Sequence, residues 1–127
     1  VANRAPLFLF AGVLVGTLLT LPPVNADISW RQAQKSTSAE VLVKSGKLWP
    51  RNEFKLSRVI YSLYESKLNN QALELIKIGN NEFPRSSGLW QFLYYSPNST
   101  QKEKNLAIRK VLEVDPENKN FKKINLL

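Results

Sequence analysis

Two hydrophobic patterns follow one another along the chain. From Ala5 to Ala26 there is no charged residue, and Leu7 to Leu21 is apolar apart from Gly and Thr. Such a stretch cannot cover the surface of a soluble domain. As a helix its 22 residues span roughly 33 Å, enough for a bilayer, although the part between the prolines reaches only about 24 Å. Pro6 suits a first helical turn, and Pro22-Pro23 is expected to stop the helix. Beyond Asp27 the apolar positions recur with helical period. Leu56, Val59, Ile60 and Leu63 stand at i, i+3, i+4 and i+7 and predict one helix from Glu53 to Lys67.

The remaining elements follow from caps and breakers. Asp27 is expected to cap a short helix through about Lys35, and Ser38 to Leu48 forms a second, ended by Pro50. Asn69-Asn70 is read as a turn, after which Ala72, Leu75, Ile76, Gly79 and Phe83 line a partner helix. Trp90, Leu93 and Tyr94 open a third hairpin, which Ser96-Pro97-Asn98-Ser99 breaks. Thr100 and Glu103 form a capping box for a helix through Val114, with Leu106, Ile108 and Leu112 expected inside.

Pro50, Pro84 and Pro116 each close such a pattern, 34 and 32 residues apart, which is the period of paired-helix solenoids. Small residues fall 12 and 5 positions before Pro84, at Ala72 and Gly79, and at the same offsets before Pro50, at Ser38 and Ser45. Before Pro116 those offsets hold Lys104 and Val111, a departure. Ala72, Gly79, Pro84 and Trp90 are therefore the expected packing positions of the repeat. A leucine at Gly79 is expected to overpack, and an alanine to stabilise where space permits. No strand pattern occurs. The fold class is all-α: a hydrophobic, transmembrane-type helix with its flank over residues 1–26, then tetratricopeptide-like hairpins over 27–127, about two and a half repeats.

Composition narrows the chemistry. With no His and no Cys, the chain has no imidazole base, thiolate nucleophile or usual transition-metal ligand set, so no metal and no cofactor are expected. The net charge of +8 favours anionic surfaces. The cations are spread singly, with only Lys119, Lys122 and Lys123 in a knot, and no base-stacking motif accompanies them, so nucleic acid is not an expected partner. The first segment has two readings: a signal peptide with a small-residue cleavage site at Val24-Asn25-Ala26, or a retained membrane helix. Position 1 is Val, so a processed chain or a piece of a longer one is expected. Either way residues 27–127 are expected across the membrane.

Among candidate sites, Glu113, Asp115 and Glu117 sit at a helix end beside lysines and read as a solvated turn. Asn98-Ser99-Thr100 is formally a glycosylation sequon but serves the same residues as a turn and cap. In the aromatic run Trp90 to Tyr95, helical spacing gives Trp90, Leu93 and Tyr94 to the core and leaves Phe92 and Tyr95 for a partner or glycan, since sugars stack on aromatic faces. Arg58 is expected to pair with Glu82 or Asp27, or to recognise a diphosphate.

A hydrophobic helix running into Pro22-Pro23-x-x-Ala26-Asp27, then Trp30-Arg31-x-Ala33, Leu48-Trp49-Pro50, the Arg58 helix, Phe83-Pro84 to Trp90, Asn98-Ser99-Thr100 with Glu103-Lys104, and Asp115-Pro116-x-Asn118 resembles the C-terminal end of the bacterial O-antigen ligase/polymerase family over nearly the whole chain. The resemblance implies an inner-membrane protein that ligates or polymerises polyprenyl-diphosphate-linked glycan, with this part a non-catalytic periplasmic tail in contact with membrane lipid and with a glycan or a periplasmic protein. The family's reactive residues lie in other helices and a large loop, so none maps onto these positions. It also favours retention of the first helix. The alternative from the residues alone is a small exported tetratricopeptide adaptor with a cleaved signal peptide.

Overall fold

The computed structural model describes residues 5–36, 38–48 and 51–125, and there the chain is all-helical. The seven helices among the described residues are α1 (Ala5–Lys35), α2 (Ala39–Lys47), α3 (Glu53–Glu65), α4 (Asn69–Glu82), α5 (Ser87–Tyr95), α6 (Gln101–Val114) and α7 (Lys119–Asn125). Each packs on the next in sequence. Turns of a few residues make successive helices antiparallel neighbours.

Helix α1 corrects the expectation of a break at Pro22-Pro23. Both prolines lie inside one 31-residue helix, and the short capped helix expected from Asp27 is the last part of α1. Proline's fixed φ is compatible with a helix; what it removes is its own N–H, leaving the carbonyls of Leu18 and Leu19 without their usual partners. Downstream, the Arg31 Nε donates to Asp27 Oδ2 at 3.0 Å, and Ala33 is buried in the core. These contacts hold the segment helical beyond the two lost bonds.

The helical body repeats in its details. Asn52, Ser86 and Asn118 each stand two positions after one of the three spaced prolines, and each caps the helix that follows. Asn52 Oδ1 accepts from the backbone N–H groups of Phe54 at 3.0 Å and Lys55 at 3.2 Å. Ser86 Oγ accepts from Leu89 at 3.2 Å, and Asn118 Oδ1 from Phe121 at 3.4 Å. Helices α4 and α6 are each 14 residues long, and both their starts and their ends lie 32 positions apart. The Thr100–Glu103 capping box forms as expected: Thr100 N–H donates to Glu103 Oε2 at 2.7 Å, and Thr100 Oγ1 accepts from Glu103 N–H at 3.3 Å. Pro50, expected to end α2, lies outside the described residues.

The turn between α3 and α4 falls earlier than expected. Asn69-Asn70 begins α4, and the chain reverses at Ser66 to Leu68, where Lys67 adopts φ of 60°. Lys67 N–H donates to the Tyr64 carbonyl at 2.9 Å and Leu68 N–H to the Leu63 carbonyl at 2.8 Å. These two bonds define a Schellman ending, with lysine where glycine is usual.

The core uses the expected stripe: Leu56, Val59, Ile60 and Leu63 of α3 meet Ala72, Leu75 and Ile76 of α4, all buried. Gly79 touches two helices. A Cβ there would stand 2.6 Å from Leu56 and 3.0 Å from Leu89, both buried leucines. The space for alanine at Gly79 is therefore absent, which reverses that expectation. In α2 the buried small residue is Gly46 rather than Ser45: its Cβ would meet Leu75 at 2.8 Å. In α6 the fully buried positions are Ala107 and Val111, with Ile108 nearly so, whereas Leu106 and Leu112 are half-buried. Trp90 is buried, and its Nε1 donates to the Pro84 carbonyl at 2.9 Å, so these two packing residues act as a pair.

Candidate functional site

Two features of the fold have the character of a functional surface: the apolar half of α1, and a cleft where the other half of α1 meets α2 and α3. Helix α1 is long and apolar enough to cross a membrane, and none of its apolar window is buried by the rest of the chain. Leu7, Phe8, Leu9 and Phe10 are 67–71% exposed. Thr17 and Thr20 turn their hydroxyls back onto the helix, donating to the carbonyls of Val13 at 2.8 Å and Gly16 at 2.9 Å, so even the polar residues of this segment present little free hydrogen-bonding capacity outward.

The same helix enters the body without interruption. Lys55 on α3 reaches back to Asp27 Oδ1 at 3.3 Å, and its ammonium lies 5.9 Å from the centroid of the Trp30 ring, a cation–π distance. Asp27 thus holds both Arg31 of its own helix and Lys55 of α3.

Beyond Trp30 the three helices enclose an open cleft of about 350 Å³. Its apolar floor is Ala33, Leu42 and Val59; Trp30 forms one wall, and Gln34, Arg58, Ser62 and Glu65 stand around it. Helical spacing explains the set: Trp30 and Gln34 are i, i+4 on α1, while Arg58, Ser62 and Glu65 are i, i+4, i+7 on α3. Arg58 and Glu65 are exposed at the rim. Neither takes part in an ion pair among the described residues.

That finding corrects the expected pairing of Arg58. Glu82 is taken instead by Arg51, whose Nη1 also donates to the Lys47 carbonyl at 3.1 Å, and Asp27 by Arg31 and Lys55. Phe92 is half-buried with its ring 6.2 Å from that of Tyr64. Tyr95 is exposed and packs edge-on against Tyr94 at 5.0 Å and Phe121 at 6.1 Å. Phe92 therefore faces α3 and Tyr95 faces α7, and neither lines the cleft that holds Arg58. Sequence reasoning missed Gln34, Ser62 and Glu65; the spacing of Ser62 and Glu65 from Arg58 was there to be read, whereas the place of Gln34 depends on how α1 lies against α3.

Ion pairs between alternate helices, α2 with α4 and α4 with α6, order the rest of the surface. Lys47 bonds Glu74 at 2.6 Å, and Lys77 bonds Glu103 at 2.6 Å. The Lys77 ammonium, followed by the Thr100 backbone and hydroxyl, lowers the Glu103 carboxyl from 4.5 to about 2. Burial pushes the Tyr64 phenol above its ordinary range, with the Ser96 hydroxyl opposing the shift. Glu113 pairs with Lys110 at 2.7 Å, Glu117 with Lys122 at 2.9 Å, and Asp115 accepts from Asn118 at 3.1 Å. These three carboxylates each have a separate local partner and form no shared acid/base site. Asn98 likewise serves the turn, donating to Asn70 Oδ1 at 2.5 Å.

No family model, curated protein or solved structure matches the chain.

Proposed function

We propose that this chain is the membrane-anchored, non-catalytic end of a protein that ligates or polymerises polyprenyl-diphosphate-linked glycan of the O-antigen type. In this reading residues 27–127 form a tetratricopeptide-like tail on the periplasmic side of the bacterial inner membrane. The reactive groups belong to other parts of the protein, and the tail positions the enzyme, its glycan or a partner protein. The observation that carries the anchored part of the reading is the continuity of α1, from exposed apolar side chains to the buried Ala33, within one helix.

The assignment to glycan transfer rests on the order of the sequence segments described above.

The test is glycan-chain synthesis in cells carrying the full protein, the protein cut after Asp27, and the protein with Phe92 and Tyr95 both changed to Ala. Loss of output on truncation, with normal membrane insertion of the remainder, supports an accessory tail. A mature chain beginning at Asp27, read by mass spectrometry of the intact product, overturns the anchored reading in favour of the exported adaptor.

A further inference from the structure

We propose that the cleft between α1, α2 and α3 is a binding site for a neutral saccharide. The proposal concerns the ligand of the tail and rests on the glycan-handling reading only for its biological setting; the chemistry of the cleft carries it. A sugar ring offers an apolar C–H face and a rim of hydroxyls that both donate and accept. The cleft supplies the complement of each. Trp30 provides an aromatic wall whose ring is held by Lys55 at 5.9 Å, and Ala33, Leu42 and Val59 provide an apolar floor. Around them stand a guanidinium that only donates, a carboxylate that only accepts, and an amide and a hydroxyl that do both: Arg58, Glu65, Gln34 and Ser62.

Charge selects among ligands. One cation and one anion line the cleft, so a phosphate or diphosphate would meet Glu65, and an ammonium would meet Arg58. An uncharged polyol meets neither conflict. Size is consistent as well, because about 350 Å³ lies at the lower end of the range of small-molecule sites. Position gives a further constraint. Trp30 stands four residues beyond Ala26, the last of the uncharged stretch, about 6 Å along the helix axis. With that stretch in a bilayer, the cleft lies at the level of the headgroups, within reach of a glycan that projects from the membrane.

That glycan has two sources, a free chain or the head of a glycolipid, and the experiment separates them. The full chain is placed in phosphatidylcholine nanodiscs without sugar-based detergent. Saturation-transfer NMR is recorded with free glucose, galactose and mannose tetrasaccharides at up to about 10 mM, and again with a diglycosyl-diacylglycerol built into the disc. Transfer to sugar ring protons is expected in at least one arm. Arg58→Ala and Gln34→Ala, both at exposed positions that leave the core intact, are expected to weaken binding at least about tenfold, whereas Lys102→Ala leaves it unchanged. Transfer in only one arm identifies the source. No transfer in either arm, or transfer that survives both Arg58→Ala and Gln34→Ala, overturns the proposal. Cleft-dependent binding combined with unimpaired glycan synthesis in cells carrying the protein cut after Asp27 would leave the site standing and remove the glycan-ligase setting. Absence of binding with synthesis still dependent on the tail would do the reverse.

Discussion

The first half of α1 and the body formed by α2 to α7 use the same residues to opposite ends. Leucines at 7, 9, 18 and 19 are more than half exposed, whereas those at 56, 63, 75 and 89 are almost wholly inside. The glycines make the contrast sharper. A Cβ at Gly12 or Gly16 would meet nothing within 4 Å, but one at Gly46 or Gly79 would strike a leucine below 3.0 Å. Burial of apolar surface by the chain itself stabilises the body. The α1 segment has no such partner among the described residues, so its stability as an apolar surface depends on the medium around it. Identical side chains therefore respond differently to substitution in the two regions.

The largest expected effect breaks α1 alone. Leu14→Arg with Leu18→Arg places two charges in the middle of the apolar segment, at about 2.5–3.5 kcal/mol each. The chain should leave the membrane fraction on cell fractionation, while the body's cooperative melt is retained. Leu75→Ala reverses the roles: it empties part of the core at a cost of about 2–5 kcal/mol, read by denaturant unfolding, with membrane association unchanged. Gly79→Ala should cost about 1–3 kcal/mol through its contacts with Leu56 and Leu89, whereas Gly12→Ala should not shift the same transition. Equal melts for Gly79→Ala and the parent would show that the α3–α4–α5 contact is looser than described.

Two smaller effects sharpen the comparison within the body. Lys67→Gly relieves a left-handed residue and should stabilise by about 1 kcal/mol, raising the thermal midpoint. Glu103 sets an acid limit. Its carboxyl is lowered from 4.5 to about 2 in the folded chain, so the folded state holds fewer protons than the unfolded one between those values. The stabilisation is fully present above pH 4.5 and is lost as pH falls toward 2. Glu103→Gln should flatten that part of a stability–pH curve; an unchanged curve would show that Lys77 and Thr100 do not hold the charged form.

The all-helical class was legible in the sequence because its signals are local: the Thr100–Glu103 box and the apolar stripe of α3 each act within a few residues of themselves. The continuity of α1 was not. Pro22-Pro23 is a breaker by local rules, and what accompanies the continued helix lies beyond it: the Arg31–Asp27 bond, the reach of Lys55 to Asp27 and the packing of Ala33. The Ser66–Lys67 turn was hidden for a different reason, since two backbone bonds to Leu63 and Tyr64 enforce a conformation that lysine does not advertise. Of the candidate site, the stripe on α3 was readable from helical spacing. That Trp30 and Gln34 would face it depended on how α1 lies against α3, a tertiary outcome without a sequence signature, and the same outcome redirected Asp27 away from Arg58.

The double proline has a mechanical consequence. With two carbonyls, those of Leu18 and Leu19, released from the helical ladder, α1 has its weakest backbone bonding where the apolar segment gives way to the part fastened to the body, and that is where a bend would form. From Leu21 to Lys35 the lever arm is about 21 Å. A tilt of about 20° at such a bend, the ordinary inclination of helices in bilayers, would swing its far end about 7 Å sideways. The body then follows as a unit, because Asp27, Trp30 and Ala33 lie beyond the pivot. In the membrane-anchored reading proposed above, bilayer thickness, which sets helix tilt, thereby becomes a determinant of where the cleft stands above the membrane.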